Sequence, residues 1–348
     1  MQPLTRSPRV SVVTPSYNQA RFLEETILSV LNQDYPNIEY IVVDGGSTDG
    51  SVEIIKKYAD RLAYWVSEKD NGQAHAINKG WRRATGDIIA YLNSDDIYYP
   101  DAIRQSVIAL TEHPSAGMVF SDALLIDEHG ETLRELFASP FDILRVIAME
   151  GFVPQPTAFI RRAALDEVGL LDERLHMVMD YDLWVRLGSR YEACYLSGVH
   201  LAAQREHGEA KSTAQINTFA LERYRALNKI FARSDIPDSI RAIRSDAYAA
   251  ASLTEAAHAA YAGEPARILP ALLRAAATSP RYALRQPLPY VLLGIRGLVP
   301  WWTGKPSPAL IAAWRFLSRA RQRPDPCGRA ISATVSETRL SLEQPHSA

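Results

Sequence analysis

Hydrophobic and polar positions in the first hundred residues alternate between two periods. Short β-branched runs are typical of buried strands, and between them apolar residues such as Leu23, Ile27 and Val30 recur at helical spacing. The runs predicted as strands are 10–13, 38–43, 63–66 and 88–92. Strand and helix in alternation indicate βαβ crossovers and a mostly parallel sheet, whose ligands bind at the carboxyl ends of the strands.

After Pro100 the pattern becomes mixed. A Glu128-His129-Gly130 turn predicts a hairpin that begins with an apolar strand at 118–126. The other predicted elements are a helix at 101–112, a hydrophobic block at 157–160, a short helix at 161–168 and a helix body at 182–187. From about Asn217 the sequence is rich in Ala, Leu and Arg at helical spacing, and from about Arg321 it is polar without an apolar period. We therefore predict an α/β domain at 1–215, a helical region at 216–320 and a disordered tail at 321–348.

Composition limits the class of protein. The 348 residues are 47% hydrophobic and 22% charged, which excludes a mostly disordered chain. Cys194 and Cys327 lie in no metal-binding spacing, so we expect no disulfide framework or structural zinc. Residues 1–9 lack the apolar run of a secretory signal, and the longest charge-free apolar stretches, 286–295 and 306–314, are far below the roughly 20 residues of a membrane span. These features predict a cytoplasmic protein.

Charge is unevenly distributed although the net charge is only −2. Residues 1–261 carry −10, which argues against a nucleic-acid partner, while 262–330 carry +9. Between Arg285 and Arg323, basic residues alternate with apolar runs that contain Trp301, Trp302 and Trp314. Such a segment suits peripheral contact with the inner face of an anionic membrane, or a helical cap with solvated arginines, and both alternatives stay open.

Carboxylates stand where the predicted topology places ligands. Asp44 opens a Gly-rich loop after the second strand, although a tight turn that caps the next helix would also explain it. Asp95 and Asp96 follow the strand at 88–92. Adjacent carboxylates favour a divalent cation that bridges phosphate oxygens. The alternative interpretation is that Asp96 caps a short turn. Asp180 and Asp182 point in different directions at the start of a helix, so one can face a cleft while the other stabilises the helix end.

Taken together, these segments resemble the inverting glycosyltransferases of family 2 from about residue 8 to residue 212, with every motif in the expected order. The resemblance implies the GT-A fold, a Rossmann-like mixed sheet with helices on both faces, here followed by the helical region. It also implies that a nucleotide-sugar lies across the ends of the first strands. The donor-binding residues it implies are Pro15, Tyr17, Asp44, Asp70, Asn78, Lys79 and Asp95.

The resemblance also implies a metal site and a base. Asp95 ends the segment that stands for the family's Asp-x-Asp motif, so it is the implied ligand of Mg²⁺ or Mn²⁺, with Asp96 second. His207 lies in the late Arg-x-His segment and is expected near the metal or the diphosphate. Asp180 stands where the family has its catalytic base.

Two further residues, Gln155 and Trp184, are candidates for the acceptor side. Gln155 lies between two prolines, and Trp184 follows Asp180 by one helical turn. An aromatic face stacks well on a sugar ring, but core packing explains a helical tryptophan equally.

Three positions depart from the family pattern. Asn93 replaces the first Asp of the Asp-x-Asp motif, and Gly45 replaces an Asp that touches the nucleobase of the donor in some relatives. Met179 replaces the Glu that precedes the catalytic base. The principal metal ligand and the base are retained. A UDP-sugar is the favoured donor, and the change at Gly45 bears on that specificity.

The function implied is metal-dependent, inverting transfer of a sugar from a nucleotide-diphosphate sugar to a hydroxyl of a glycan or lipid-linked acceptor, in cell-surface polysaccharide or glycolipid synthesis. A nucleotidyltransferase is an alternative, although residues 14–19 are not the Gly-rich basic phosphate loop it would need. A catalytically silent nucleotide-sugar-binding protein is another, and the joint presence of Asp44, Asp95 and Asp180 argues against it.

Overall fold

The computed structural model describes residues 4, 7–148, 150–208 and 216–285. The predicted tail at 321–348 and the basic, Trp-containing segment from 286 onward lie outside the described residues, as does the boundary predicted at 215. The division into domains therefore stays a prediction. No helix among the described residues combines the length and apolarity needed to cross a bilayer.

One mixed sheet runs through the described part of the chain. Its strands are β1 (Val10–Ser16), β2 (Ile38–Asp44), β3 (Tyr64–Ser67), β4 (Ile88–Tyr91), β5 (Ile97–Tyr98), β6 (Ala116–Ile126), β7 (Thr132–Leu136), β8 (Phe159–Arg161) and β9 (Glu192–Arg205). Their order is β3-β2-β1-β4-β8-β6-β9-β5, with β7 paired to β6. The first four strands are parallel, and β8 pairs antiparallel with both β4 and β6.

Helices cover both faces of this sheet. They are α1 (Ala20–Leu31), α2 (Ser51–Lys57), α3 (Gln73–Arg83), α4 (Ala102–Glu112), α5 (Ile143–Ile147), α6 (Arg162–Val168), α7 (Met179–Gly188), α8 (Ile216–Ala232), α9 (Asp238–Ala242), α10 (Arg244–Tyr261), α11 (Pro265–Thr278) and α12 (Pro280–Arg285). Alternate residues of β1 enter different cores, since Val12 packs with α1, α2 and α4 and Val13 packs with α3 and α7. This period-2 division confirms the predicted mixed α/β sheet with helices on both faces.

The register brings the carboxyl ends of the parallel strands to one edge. Ser16 pairs with Asp44 and Asp44 pairs with Ser67, so β1, β2 and β3 end side by side. On the other side of β1, Val13 pairs with Tyr91 near the end of β4. The loops that carry the predicted ligands therefore leave the sheet at the same edge, as expected for this topology.

The helical region packs directly on the sheet domain. Ala226, Leu227 and Ile230 of α8 are buried in the same core as α3 and α7. Lys229 of α8 also lies 3.0 Å from an oxygen of Asp182, which is fully buried on α7. Helix α8 is thus part of the wall behind α7.

Helix α7 begins at Met179, so Asp180 lies at the start of this helix, as the sequence predicts. The elements that the sequence analysis does not predict include β5, α5 and β9. Strand β9 is 14 residues long. Buried and exposed residues do not alternate regularly along β9, and its pairing with β6 is irregular where the register shifts. The sequence therefore lacks the continuous alternation that would mark a strand.

Candidate active site

A cleft of about 990 Å³ opens at the carboxyl edge of the sheet. It is lined by the loops after β1, β2 and β4, by the start of α7 and by residues of α8 and α10. The residues predicted from the sequence that line it are Pro15, Tyr17, Asp70, Asp95, Asp96, Gln155 and Asp180. The chain thus brings together, in one space, side chains from positions 15 to 180.

The end of the cleft nearest β1 and β2 is built by two loops fastened to each other. Asn18 has a positive φ of 51°, and its side chain accepts a hydrogen bond from the backbone N–H of Thr48 at 2.9 Å. The Ser47 hydroxyl in turn accepts from the backbone N–H of Asn18 at 2.8 Å. Tyr17, 63% exposed, projects from this junction at the cleft surface.

Asp70 lies against the backbone of Gly45. A Cβ added at Gly45 would come within 2.8 Å of Asp70 Oδ2, a distance that no side chain tolerates without displacing the carboxylate. Asp70 Oδ1 accepts from the backbone N–H of Gly72 at 2.8 Å, which fixes its orientation. Gly45, which departs from the family pattern, therefore leaves room for the Asp70 carboxylate because it has no side chain.

Asp44 is fully buried and is not among the residues that line the cleft. Its Oδ2 accepts hydrogen bonds from the backbone N–H groups of Gly46, at 3.0 Å, and Ser47, at 2.8 Å. The hydroxyl of Ser67 donates to the same oxygen at 2.6 Å. Asp44 thus organises the loop after β2, as the tight-turn interpretation expects.

The loop after β4 is organised by Asn93. Its amide nitrogen donates to Asp96 Oδ2 and to the side-chain oxygen of Gln155, both at 3.1 Å, and its oxygen accepts from Gln73 at 2.7 Å. These contacts need two N–H donors and one oxygen acceptor on the same side chain, which an amide supplies and an ionised carboxylate does not. The structure therefore explains why asparagine suits this position.

Asp95 and Asp96 have different environments. Asp96 is buried, and its other oxygen accepts from the backbone N–H of Arg205 at 2.9 Å. Burial and the neighbouring charge of Asp95 raise the pKa of Asp96 well above its usual range. Asp95 faces the cleft, with Oδ2 3.0 Å from Nε2 of His207, whose ring packs on Phe22 with centroids 4.7 Å apart.

Asp180 and Asp182 face opposite sides of α7. Asp180 lines the cleft in the first helical turn, where the helix dipole stabilises negative charge. Asp182 is buried and bonds Nε of Arg186 at 2.9 Å. Tyr91 also lines the cleft; burial, then the charges of Asp180 and Asp96, raise its pKa well above the usual range, so it remains a neutral phenol.

Five predicted residues are not among those that line the cleft: Asp44 and His207, described above, and Asn78, Lys79 and Trp184. The amide of Asn78 is buried and exchanges two hydrogen bonds with the backbone of Leu171, at 2.9 and 3.0 Å. Lys79 forms an ion pair with Glu68, and Trp184 is 4% exposed within the core. These side chains hold α3 and α7 in place, so we leave Asn78, Lys79 and Trp184 out of the ligand contacts proposed below.

Other cleft residues were not predicted. Lys69 and His176 lie on loops without a recognisable motif, and Phe219 and His258 come from α8 and α10. No spacing in the sequence links positions so far apart. The packing of α8 on α7, and the contact of α10 with α8, bring Phe219 and His258 to the cleft.

A mixed sheet of this order, with an acidic cleft at the carboxyl ends of its parallel strands, defines the GT-A class of glycosyltransferase. Residues 11–169 match the family model described as glycosyl transferase family 2. An uncharacterized glycosyltransferase of Rickettsia typhi is 32% identical over 236 residues, which are 65% of this chain and 72% of that protein. The chain belongs to glycosyltransferase family 2, and it is a glycosyltransferase.

Other similarities agree with this assignment. The putative teichuronic acid biosynthesis glycosyltransferase TuaG of Bacillus subtilis is 36% identical over 136 residues, 38% of this chain and 54% of TuaG. Residues 1–349 of S. aureus TarS, solved with UDP-GlcNAc, give a TM-score of 0.59 at 18% identity and cover 79% of this chain and 82% of that one. The mannosyltransferase PcManGT of Pyrobaculum calidifontis, solved with GDP-Man and Mn²⁺, gives 0.56 at 23% identity, covering 91% and 85%. At these identities the structures show a shared fold.

Proposed function

We propose that this chain transfers a sugar from a nucleotide-diphosphate sugar to an acceptor hydroxyl with inversion at the anomeric carbon, in a metal-dependent reaction. The observation that carries the proposal is that Asp180 and Asp95 line one cleft, Asp180 at the start of α7 and Asp95 in the loop after β4. An in-line displacement needs a base for the attacking oxygen and a separate site for the leaving diphosphate, and two carboxylates on different elements can supply them.

The donor is assigned to the end of the cleft formed by the loops after β1 and β2. Tyr17 offers an exposed aromatic face to a nucleoside, Pro15 lines the same wall, and Asp70 offers a fixed carboxylate. Asp44 acts indirectly, since its carboxylate holds the loop. A UDP-sugar remains the favoured donor, and GDP-mannose is the competitor to test, because solved structures of the same fold carry UDP-GlcNAc and GDP-Man.

The metal site is assigned to Asp95 and His207. Asp95 lines the cleft, and its Oδ2 lies 3.0 Å from Nε2 of His207, which is buried and does not itself line the cleft. The carboxylate is a ligand that suits Mn²⁺ or Mg²⁺. The described residues hold no cluster of three such side chains, so the diphosphate and water would complete the coordination. Both oxygens of Asp96 already accept hydrogen bonds from the protein, and we assign it to ordering the loop.

When bound, the cation supplies Lewis-acid stabilisation of the charge that develops on the leaving diphosphate. Asp180 takes the proton of the acceptor hydroxyl as that oxygen attacks the anomeric carbon and the bond from that carbon to the diphosphate oxygen breaks. Tyr91, held as a neutral phenol, adds no negative charge beside Asp180. Gln155 borders the acceptor side, with its amide nitrogen bonded to the backbone oxygen of Tyr91 at 3.0 Å.

The acceptor class is a glycan or a lipid-linked glycan of the cell surface. The similarity to TuaG, whose name assigns it to teichuronic acid biosynthesis, supports polysaccharide synthesis. Cytoplasmic location, with peripheral attachment to the inner membrane face through the basic segment between 285 and 323, is part of the same proposal. Vesicle sedimentation at low and high salt tests the attachment.

Thermal unfolding with candidate donors tests the donor and metal site. A donor at 100 times its dissociation constant stabilises the folded state by about 2.7 kcal/mol. We expect UDP-sugars with Mn²⁺ to raise the Tm of the wild type, and Asp95→Ala to lose the Mn²⁺-dependent part. The exposed Asp60, remote from the cleft, gives the matched control Asp60→Ala. An unchanged Mn²⁺ response in Asp95→Ala would contradict the metal assignment.

A further inference from the structure

Two of the helices that line the cleft, α8 and α10, lie beyond the matched segment 11–169. Phe219 of α8 and His258 of α10 line the cleft, with their rings edge to face, 5.1 Å between centroids and 73° between planes. Both side chains are only partly buried. Asp180 lines the same cleft, so this aromatic pair presents its surface to a molecule that binds there.

Glu222 fixes α8 relative to Asp180. It lies one turn after Phe219 on α8 and is buried, and its Oε2 accepts from the backbone N–H groups of His176, at 2.8 Å, and Met177, at 2.6 Å. Those two residues form the loop that leads into α7 and Asp180. Hydrogen bonds to a carboxylate are the stronger kind, so Phe219 and the proposed base share one rigid support.

Other residues that line the cleft are also mixed in character. Phe152, 49% exposed, is one of them, as are Gln155 and His176. A sugar ring has an apolar C–H face and a rim of hydroxyl groups, which need aromatic surface and hydrogen-bonding groups respectively. An acyl chain would need an apolar surface without interruption, and here imidazole and amide groups interrupt it.

We propose that Phe219 and His258, together with Phe152 of the same cleft, form the acceptor subsite of this enzyme and bind a sugar ring of a carbohydrate acceptor. The subsite rests on the proposed function, because its position is defined by the base Asp180. It assigns to the helical region a part in the catalytic site, since α8 and α10 supply the acceptor's stacking surface.

Saturation-transfer NMR on the full chain with bound UDP tests the subsite without a known acceptor. The probes are the methyl glycosides of glucose, galactose, mannose and N-acetylglucosamine, and submicellar octyl glucoside. We expect at least one methyl glycoside to give ring-proton signals with the wild type. In Phe219→Ala and His258→Ala its affinity should fall about tenfold, with UDP affinity unchanged, whereas Phe219→Tyr should retain both.

Leu221, on the same helix but 59% exposed and outside the cleft, provides the matched control Leu221→Ala. The subsite is overturned if no methyl glycoside binds the UDP-loaded wild type, if both alanine variants bind it unchanged, or if octyl glucoside shows only alkyl signals. Failure of the wild type to bind any nucleotide would instead refute the proposed function. Unaltered UDP affinity in the variants separates loss of the subsite from loss of the fold.

Discussion

Replacing Asn93 by aspartate restores the acidic residue of the family motif, and we predict that it destabilises this particular chain. The substitution removes the amide that donates to Asp96 Oδ2 and to Gln155, both at 3.1 Å. It also places a second carboxylate beside the buried carboxylate of Asp96. Gln73, which donates to Asn93, still finds an acceptor in the variant.

The magnitude follows from these contacts. Loss of a hydrogen bond to a charged group costs about 1.5–3 kcal/mol and loss of a neutral one about 0.5–1.5 kcal/mol. The bond from Gln73 is kept and changes nothing in this sum, whereas repulsion from Asp96 adds to the cost. We expect the free energy of unfolding at pH 7 to fall by about 3 kcal/mol, which lowers Tm by roughly 6 °C in a chain of this size.

Urea unfolding monitored by circular dichroism measures the change. Asn93→Ala separates the two effects, because it removes the donors without adding charge and should cost less than Asn93→Asp. Asn71→Asp, at an exposed position outside the cleft, is the control and should stay within about 0.5 kcal/mol of the wild type. Equal stability of Asn93→Asp and the wild type would refute the role assigned to the amide.

Three further predictions follow from single contacts. Gly45→Ala should displace the Asp70 carboxylate, which lies 2.8 Å from the added Cβ, and weaken UDP binding about tenfold by calorimetry; unchanged affinity would argue against Asp70 as a donor ligand. Glu222→Ala should lower kcat more than it raises the donor KM, because it frees the loop before the proposed base. Glu222→Gln should recover most of kcat, and an equal loss of kcat in the two variants would indicate a purely structural effect. The pKa of Asp172 is held well below its usual range, first by Arg174 and then by Lys229, so its stabilisation is present above about pH 4 and is lost as pH falls. Asp172→Asn should therefore flatten the acid limb of stability against pH, and a limb as steep as that of the wild type would contradict this.

The sequence predicts the parallel half of the fold well. Strands β1, β2 and β4 are buried on both faces and appear as continuous β-branched runs, and the helices between them carry clear apolar stripes. Their order fixes which loops reach the ligand edge. The family and the mixed sheet expected from those motifs are confirmed.

The sequence alone does not reveal how each carboxylate is used. Asp44 and Asp95 both follow a strand, yet the first is enclosed by N–H and hydroxyl donors of its own loop and the second faces the cleft. The contact between Gly45 and Asp70 joins positions 25 residues apart and depends on the course of two loops. Phe219 and His258 reach the cleft through the packing of α8 on α7 and the contact of α10 with α8, a long-range effect without a local pattern.

The central claim is that Asp180 is the base of an inverting transfer. It is tested by following hydrolysis of the nucleotide-sugar that raises Tm, because water replaces the acceptor and no acceptor need be known. Proton NMR during the first minutes should show release of the sugar with inverted anomeric configuration from the wild type.

Asp180→Asn should bind that donor within about threefold of the wild type and lose at least about a hundredfold in rate, the smaller end of what a general base contributes. Asp166→Asn, at an exposed carboxylate on α6 outside the cleft, should keep the wild-type rate. Retained configuration in the wild-type product, or an Asp180→Asn rate above a tenth of the wild-type rate, would contradict the account.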